Sequence, residues 1–215
     1  MNFKKFLEHT HNDEKDDNRI IIQKQPQAYH KIIQDLPLKK NIISSKCILI
    51  DSRHRNKESY PNTNNFIISF NPDPTYIGAS INTNIKNITK INIDNVVLPK
   101  VALDYSYIIL KINELHNNDI FSTNGFADDA FAILIPKKHN NTSDFIHCEI
   151  RHNCHNFITP IANLKKFTIS FYDPNNNLIN FGADHIGSIK DSVQTMIMLN
   201  IEYLERDNNL RTQII

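Results

Sequence analysis

The sequence predicts an all-β fold, an eight-stranded antiparallel sandwich preceded by an extended arm. Three observations carry that prediction. Asn and Ile dominate the 215 residues, with 30 and 35 copies. Asn favours turns and Ile favours strands, so the mix suits many short strands joined by polar loops. Short apolar segments recur from residue 46 onward, several with period-two alternation, and no convincing helical period lies between them. The hydrophobic fraction is 40%, enough for a core, and the length suits one all-β domain with extensions or two small domains.

Residues 1–45 read as an arm. HNDEKDDNR is charge-dense. The apolar pieces Ile20–Ile22, Ile32–Ile33 and Ile42–Ile43 are too small to make a core alone, and the composition suits a disordered tail equally well. The domain is expected over 46–215. Its strands are KCILID (46–51), NFIISF (65–70), NIKNITKINIDNVVLP (84–99), YSYIILKINEL (105–115), AFAILIP (130–136), DFIHCEI (144–150), KFTISFYD (166–173) and SVQTMIMLNIEYL (192–204). The alternation in the third slips near Ile88, which predicts a bulge or a boundary there. A short helix or turn is expected near 113–119 or within the arm. Eight strands in two sheets is the count of a single jelly roll. No fixed-period repeat is present.

Several function classes lack their sequence requirements. Only 4 glycines occur, and neither GxGxxG nor GxxxxGK[ST] appears, so glycine-rich phosphate loops are not expected. The net charge of +1 offers no basic footprint for direct nucleic-acid binding. The 3 cysteines, Cys47, Cys148 and Cys154, together with an N-terminal stretch lacking an apolar leader, argue for a reducing compartment without a disulfide framework. No apolar run approaches the roughly 18 residues of a membrane span.

Three clusters invite a chemical reading. Asp51, Ser52 and His54 are the residue types of a nucleophilic triad, but such triads converge from distant positions. In an extended segment Ser52 and His54 share a face while Asp51 points away. No GxSxG elbow is present. The structural reading is stronger. Asp51 ends a strand and accepts backbone N–H bonds in a turn. Arg53 and Arg55 pair with Asp51 or with a neighbouring chain's carboxylate. Tyr60-Pro61 forces an extended step. The second cluster is Cys148, His152, Cys154 and His155, spaced C-x3-H-x-C-H, which matches none of the common zinc patterns. In a strand Cys148 and His152 lie about 13 Å apart. A core cysteine and surface histidines are expected there, with no metal. The third is Asp128-Asp129. Adjacent carboxylates do not face one another, so a solvated turn is expected rather than an acid/base pair. The His9-Thr10-His11 pair falls in the arm, away from any barrel that could use it as a cupin-type ligand set.

ILIDSRHRNKESYPNTNNFIISF (48–70) resembles a phrase in capsid proteins of large nucleocytoplasmic DNA viruses. There an apolar strand leads into Asp-Ser-Arg-Asp-Arg, then Tyr-Pro, an Asn- or Ser-rich turn and a second strand. The matching residues are Asp51, Ser52, Arg53, Arg55, Tyr60 and Pro61, with His54 in place of the usual Asp. NITKINIDNVVLPK resembles a strand of the same proteins that ends in Leu-Pro. FTISFYDPNNNLINFGADH resembles their penultimate strand and turn, carried by Asp173, Pro174, Phe181 and Gly182. Asn177 stands where Gly is usual, and Asn tolerates the left-handed conformation that such a turn needs.

The resemblance covers 46–205. It implies a single jelly roll that is a virion structural protein without enzymatic activity or cofactor. Two positions fit: the penton protein at five-fold vertices, as a homo-pentamer, or a minor capsid protein cementing major capsid capsomers. A lectin-like attachment module is a further alternative, disfavoured by the lack of Trp. Other capsid proteins are the implied partners. The virion is the implied location, with the host cytoplasm during assembly. The Arg53 and Arg55 side chains are expected in inter-subunit ion pairs, and the arm on an adjacent subunit.

Overall fold

A computed structural model of the chain describes residues 41–76, 78–115, 120–138, 143–152 and 154–206. The regular structure among them is β, apart from short 3-10 turns. The strands are β1 (Asn41–Asp51), β2 (Asn65–Phe70), β3 (Ser80–Ile81), β4 (Ile88–Pro99), β5 (Ile108–Ile112), β6 (Ala132–Pro136), β7 (Phe145–Arg151), β8 (Cys154–Ile161), β9 (Lys166–Tyr172) and β10 (Met196–Arg206). Residues 40–209 group as one compact unit. The stretch read as an arm lies, up to residue 40, outside the described residues.

Pairing runs β1-β10-β4-β7-β6-β5-β9-β2-β3, with β8 added to β4. Every pair is antiparallel except β2 with β3. The result is a single curled sheet, a half-barrel. Its bend passes through β7. The start of β7 pairs with β4 (Pro99↔Phe145, Val97↔His147), and its end pairs with β6 (Pro136↔Cys148, Ile133↔Arg151). Both β7 and β8 are antiparallel to β4, so they run in one direction as a strand interrupted around His152, whose φ is 58°.

Alternate residues of β2, β9 and β10 fill the concave side, as the two-residue pleat requires. Phe66, Ile68 and Phe70 come from β2. Phe167, Ile169 and Phe171 come from β9, and Ile197, Leu199 and Ile201 from β10; all join one core with Ile91 and Ile93 of β4. Phe70 meets Phe167 edge-on with centroids 5.0 Å apart. A small satellite of Ile109, Ala127 and Ala130 sits apart from that core.

The all-β expectation holds, and all eight expected strands have counterparts. The differences have local causes. Residues 41–45, read as the end of the arm, belong to β1. They are mostly exposed and are held by the ladder to β10 (Asn41↔Arg206, Ser45↔Glu202) rather than by burial. β8 was not expected at all, because CHNFITPI buries only His155 and carries no apolar alternation. The slip near Ile88 is both a boundary and a bulge: β4 starts there, and its register to β8 shifts between Ile88 and Lys90. The turn expected near 113–119 begins at Asn113, and 116–119 lie outside the described residues. No helix among the described residues is long and apolar enough to cross a membrane.

Candidate functional site

The residues at the end of β1 build a buried polar corner. The Asp51 carboxylate accepts the Arg53 N–H at 2.9 Å and caps a 3-10 turn over Ser52–His54, as its position after an apolar run predicts. That turn rotates Ser52 inward and leaves His54 exposed, so the shared face expected of an extended segment does not form. The Ser52 hydroxyl donates to Gln194 Oε1 at 2.9 Å and accepts the Thr195 N–H at 2.8 Å. It is a structural hydroxyl with its hydrogen-bonding capacity engaged.

Arg55 is the centre of the corner. Its Nε donates to the Tyr60 carbonyl at 2.6 Å. Nη1 donates to the Ser52 carbonyl at 2.9 Å and to Gln194 Oε1 at 3.2 Å. Nη2 donates to the Pro61 carbonyl at 2.6 Å and to Asp184 Oδ1. Every N–H of the guanidinium fork therefore has an acceptor. Gln194 Nε2 closes the network, donating to Asp184 Oδ2 at 2.8 Å and to the Lys190 carbonyl at 2.7 Å. The side chains of Arg55 and Asp184 are both fully buried. A buried charge pair of this kind is tolerated because its remaining donors and acceptors are satisfied. Tyr60-Pro61 presents two successive carbonyls to one guanidinium, which is the structural role of that step. Thr63 Oγ1 to the Val193 carbonyl (2.6 Å) and Asn64 Nδ2 to the Ile179 carbonyl (2.5 Å) extend the seam.

The expected pairing of the two arginines is corrected by this geometry. Arg55 is sequestered against Asp184 of its own chain, so it is not available to a neighbouring subunit. Arg53 reaches Asp191 at 3.2 Å on the surface. Both ion pairs run to the 184–191 segment rather than to Asp51.

Asp173 organises the third phrase, FTISFYDPNNNLINFGADH. Its carboxylate accepts the N–H groups of Asn175 (2.9 Å) and Asn177 (2.8 Å) and the Asn177 side-chain amide (3.2 Å). Burial pushes the Asp173 carboxyl up, but these donors outweigh it and hold the group below its ordinary range. The left-handed residue is Asn176, φ 64°, not Asn177 as expected. The Pro174 carbonyl accepts Asn124 Nδ2 at 2.8 Å. Phe181 is buried, edge-on to Phe171 at 5.6 Å. Gly182 holds φ 101°, and a Cβ there would come within 2.8 Å of Val193 Cγ1, so this position requires glycine.

Cys148 and His155 are absorbed into the structure. Cys148 is buried, and burial pushes its thiol up to about 12. His155, expected on the surface, is 2% exposed. Its ring stacks on Phe131 at 4.2 Å, and its Nε2 lies 2.5 Å from the Phe131 carbonyl. Cys154 is half-buried and His152 exposed. Among the described residues no three His, Cys, Asp or Glu side chains gather as a metal-ligand set. Asp128 accepts the Ser122 N–H at 3.1 Å and Asp129 pairs with Lys111 at 2.6 Å, both in an exposed turn.

Asp184, Gln194 and Thr195 are the corner residues that the sequence reading passed over. Asp184 stands inside FGADH, two residues beyond Gly182, and an acid beside a required glycine was the available signal. Gln194 and Thr195 carry none, since their partner Ser52 is 142 and 143 positions away. Compared with known proteins, the chain matches no family model, and no curated protein is similar to it.

Proposed function

We propose that this protein is a structural subunit of the capsid of a large nucleocytoplasmic DNA virus, the penton protein at five-fold vertices, built on a single jelly roll. One observation carries the reading. Of the residues that carry the first phrase of the resemblance, Ser52, Arg55, Tyr60 and Pro61 assemble the buried corner, Asp51 caps the turn above it and Arg53 pairs at its surface, and Gly182 and Phe181 of the third phrase lie beside it. Side chains placed for a reaction converge on an open pocket. These converge on a sealed junction between the first two strands and the last.

The strand order supports the jelly roll. With β3 set aside and β7–β8 counted as one interrupted strand, the chain has a series of eight. One run of the sheet pairs first, eighth, third and sixth; the other pairs second, seventh, fourth and fifth. That interleaving is the one produced by two rolled Greek keys. Function then resides in the surfaces around the rigid corner, through which five copies close head-to-tail, without a reaction or a cofactor.

Light scattering of the purified chain at two concentrations tests the proposal. The expected mass is about five times the 25.0 kDa of one chain. A concentration-independent monomer would overturn the penton position and point to a minor capsid protein that assembles only on its neighbours.

A further inference from the structure

We propose that Phe121 of one copy seats in a cation-rimmed apolar cavity of the next copy, where the end of β4 meets the start of β7. The inference rests on the capsid-subunit reading and names the contact that would close its ring.

Phe121 is 91% exposed, and Phe126 on the same loop is 51% exposed. The loop that carries them is fixed. Ile120 packs on the satellite of Ile109, Ala127 and Ala130, on the side of β5 away from the main core. The Ser122 N–H donates to Asp128 Oδ1 at 3.1 Å, and the Ser122 hydroxyl accepts the Asn124 N–H at 3.0 Å. Asn124 Nδ2 donates to the Tyr107 hydroxyl and to the Pro174 carbonyl, both at 2.8 Å, and its Oδ1 accepts the Phe126 N–H at 3.2 Å. Ile120 and Ser122 are thus held on either side of Phe121. The ring is presented outward on a backbone that is already ordered, so little entropy is lost when it binds. Aromatic anchors of this kind carry most of the energy of many interfaces. Asp128 gives the loop a negative charge. Among the described residues it has no cation partner.

The cavity offers the complement. It encloses about 190 Å³ between the turn after β4 and the start of β7. Its floor is apolar: Ile146 is buried, and Leu103 and Phe145 are half-buried. Lys100, Lys138 and His147 stand exposed at its rim. Among the described residues Lys100 and Lys138 make no ion pair. Asp104 and Asp144 are near in sequence but do not line it. An apolar cavity of about 150 Å³ is enough to hold benzene, so a phenyl ring fits. Asp128 on one patch and the two lysines on the other bring opposite, uncompensated charges, which steer docking and fix its register. At 91% exposure Phe121 does not fill the cavity of its own chain. Two different patches on one chain make a heterologous contact, the kind that closes as a ring.

Replacing Phe121 with p-benzoylphenylalanine tests the contact in the full-length chain, since the photoreactive residue keeps an aromatic ring at that position. Heavy-isotope-labelled and unlabelled chains are mixed, irradiated, digested and mapped by mass spectrometry. Links between chains should fall on residues 100–103 and 143–147. In light scattering, Phe121→Ala should weaken self-association at least tenfold with an unchanged unfolding midpoint, because the ring it removes is exposed. Lys100→Glu with Lys138→Glu should weaken it as well, whereas Lys86→Glu, on the loop before the other end of β4, should not. Links that fall elsewhere on the chain, or no link between chains, would overturn the proposal. The mass separates it from the ring. A five-fold mass that survives Phe121→Ala removes this contact and leaves the ring standing. The expected links at any other mass keep the contact and overturn the penton position.

Discussion

Arg55 and His155 are both buried polar side chains, 3% and 2% exposed, and they are stabilised by different means. Arg55 carries a permanent charge, so its burial demands an anion and a full set of acceptors. It finds Asp184, Gln194 and three backbone carbonyls. His155 has an imidazole that can be neutral, and its burial needs no anion: it stacks on Phe131, meets the His152 ring edge-on and places Nε2 against the Phe131 carbonyl. The two regions look alike in sequence, each a short run of Asp, Ser, Arg, His or Cys. One becomes a polar junction between distant loops; the other buries Cys148 and His155 and leaves His152 on the surface. Residue type alone does not tell them apart; the charge that must be matched does.

The largest effect should follow from breaking the Arg55 pair. Asp184→Ala leaves a guanidinium buried without its anion and should cost about 3–5 kcal/mol, read from the urea midpoint. Replacing both partners, Arg55→Met with Asp184→Leu, should recover most of that loss, because apolar substitutes remove the desolvation penalty. A cost below about 1 kcal/mol for Asp184→Ala would mean the corner is wet and the contrast with His155 is unfounded. His155→Phe keeps the stack but strands the Phe131 carbonyl, and should cost about 1–3 kcal/mol. An equal loss at both sites would show that charge is not what separates them.

The legible part of the corner is the local part. Asp51 capping its own turn is an interaction between positions two apart, and a strand followed by Asp-Ser signals it directly. Arg55 and Asp184 are 129 positions apart, and no local pattern joins them. The same division runs through the fold. β2 was legible because it alternates buried and half-buried residues, and β9 because its apolar side chains fall on every second position, Phe167, Ile169 and Phe171, with the buried residue between them the polar Ser170. β8 was not, since it is held mainly by the hydrogen-bond ladder to β4 and buries little. The left-handed residue of the second turn was misplaced by one position. Asn175, Asn176 and Asn177 are chemically identical, and only the Asp173 acceptor, bonded to the N–H of Asn175 and Asn177, selects Asn176.

Asp51→Ala sharpens the comparison at smaller scale. It removes one cap bond from a part-exposed carboxylate while leaving the buried pair intact, and should cost about 1–2 kcal/mol in the denaturation midpoint. Its effect should add to that of His155→Phe, since Asp51 caps its own turn through Arg53 whereas His155 packs on Phe131 and His152. A loss as large as that of Asp184→Ala would instead show that the cap and the guanidinium network form one cooperative unit.

The smallest effect should come from acid, through Asp173. Its native carboxyl lies below the ordinary carboxylate range because three donors favour the ionised form despite burial. A group depressed on folding contributes stability above its unfolded value, near 3.9, and loses it as pH falls through the lower native value. Between pH 5 and pH 3 the wild-type midpoint should therefore fall more steeply than that of Asp173→Asn, which cannot titrate. Asp73 and Glu149 are depressed for related reasons, by donors from Thr75 and by Lys137 and Arg151, so the variant should flatten the acid slope without abolishing it. An unchanged slope would show that the turn opens before Asp173 takes up its proton. The third phrase would then be held by Phe181 and Gly182 packing, and the polar logic of the Arg55 corner would stop at Asp184.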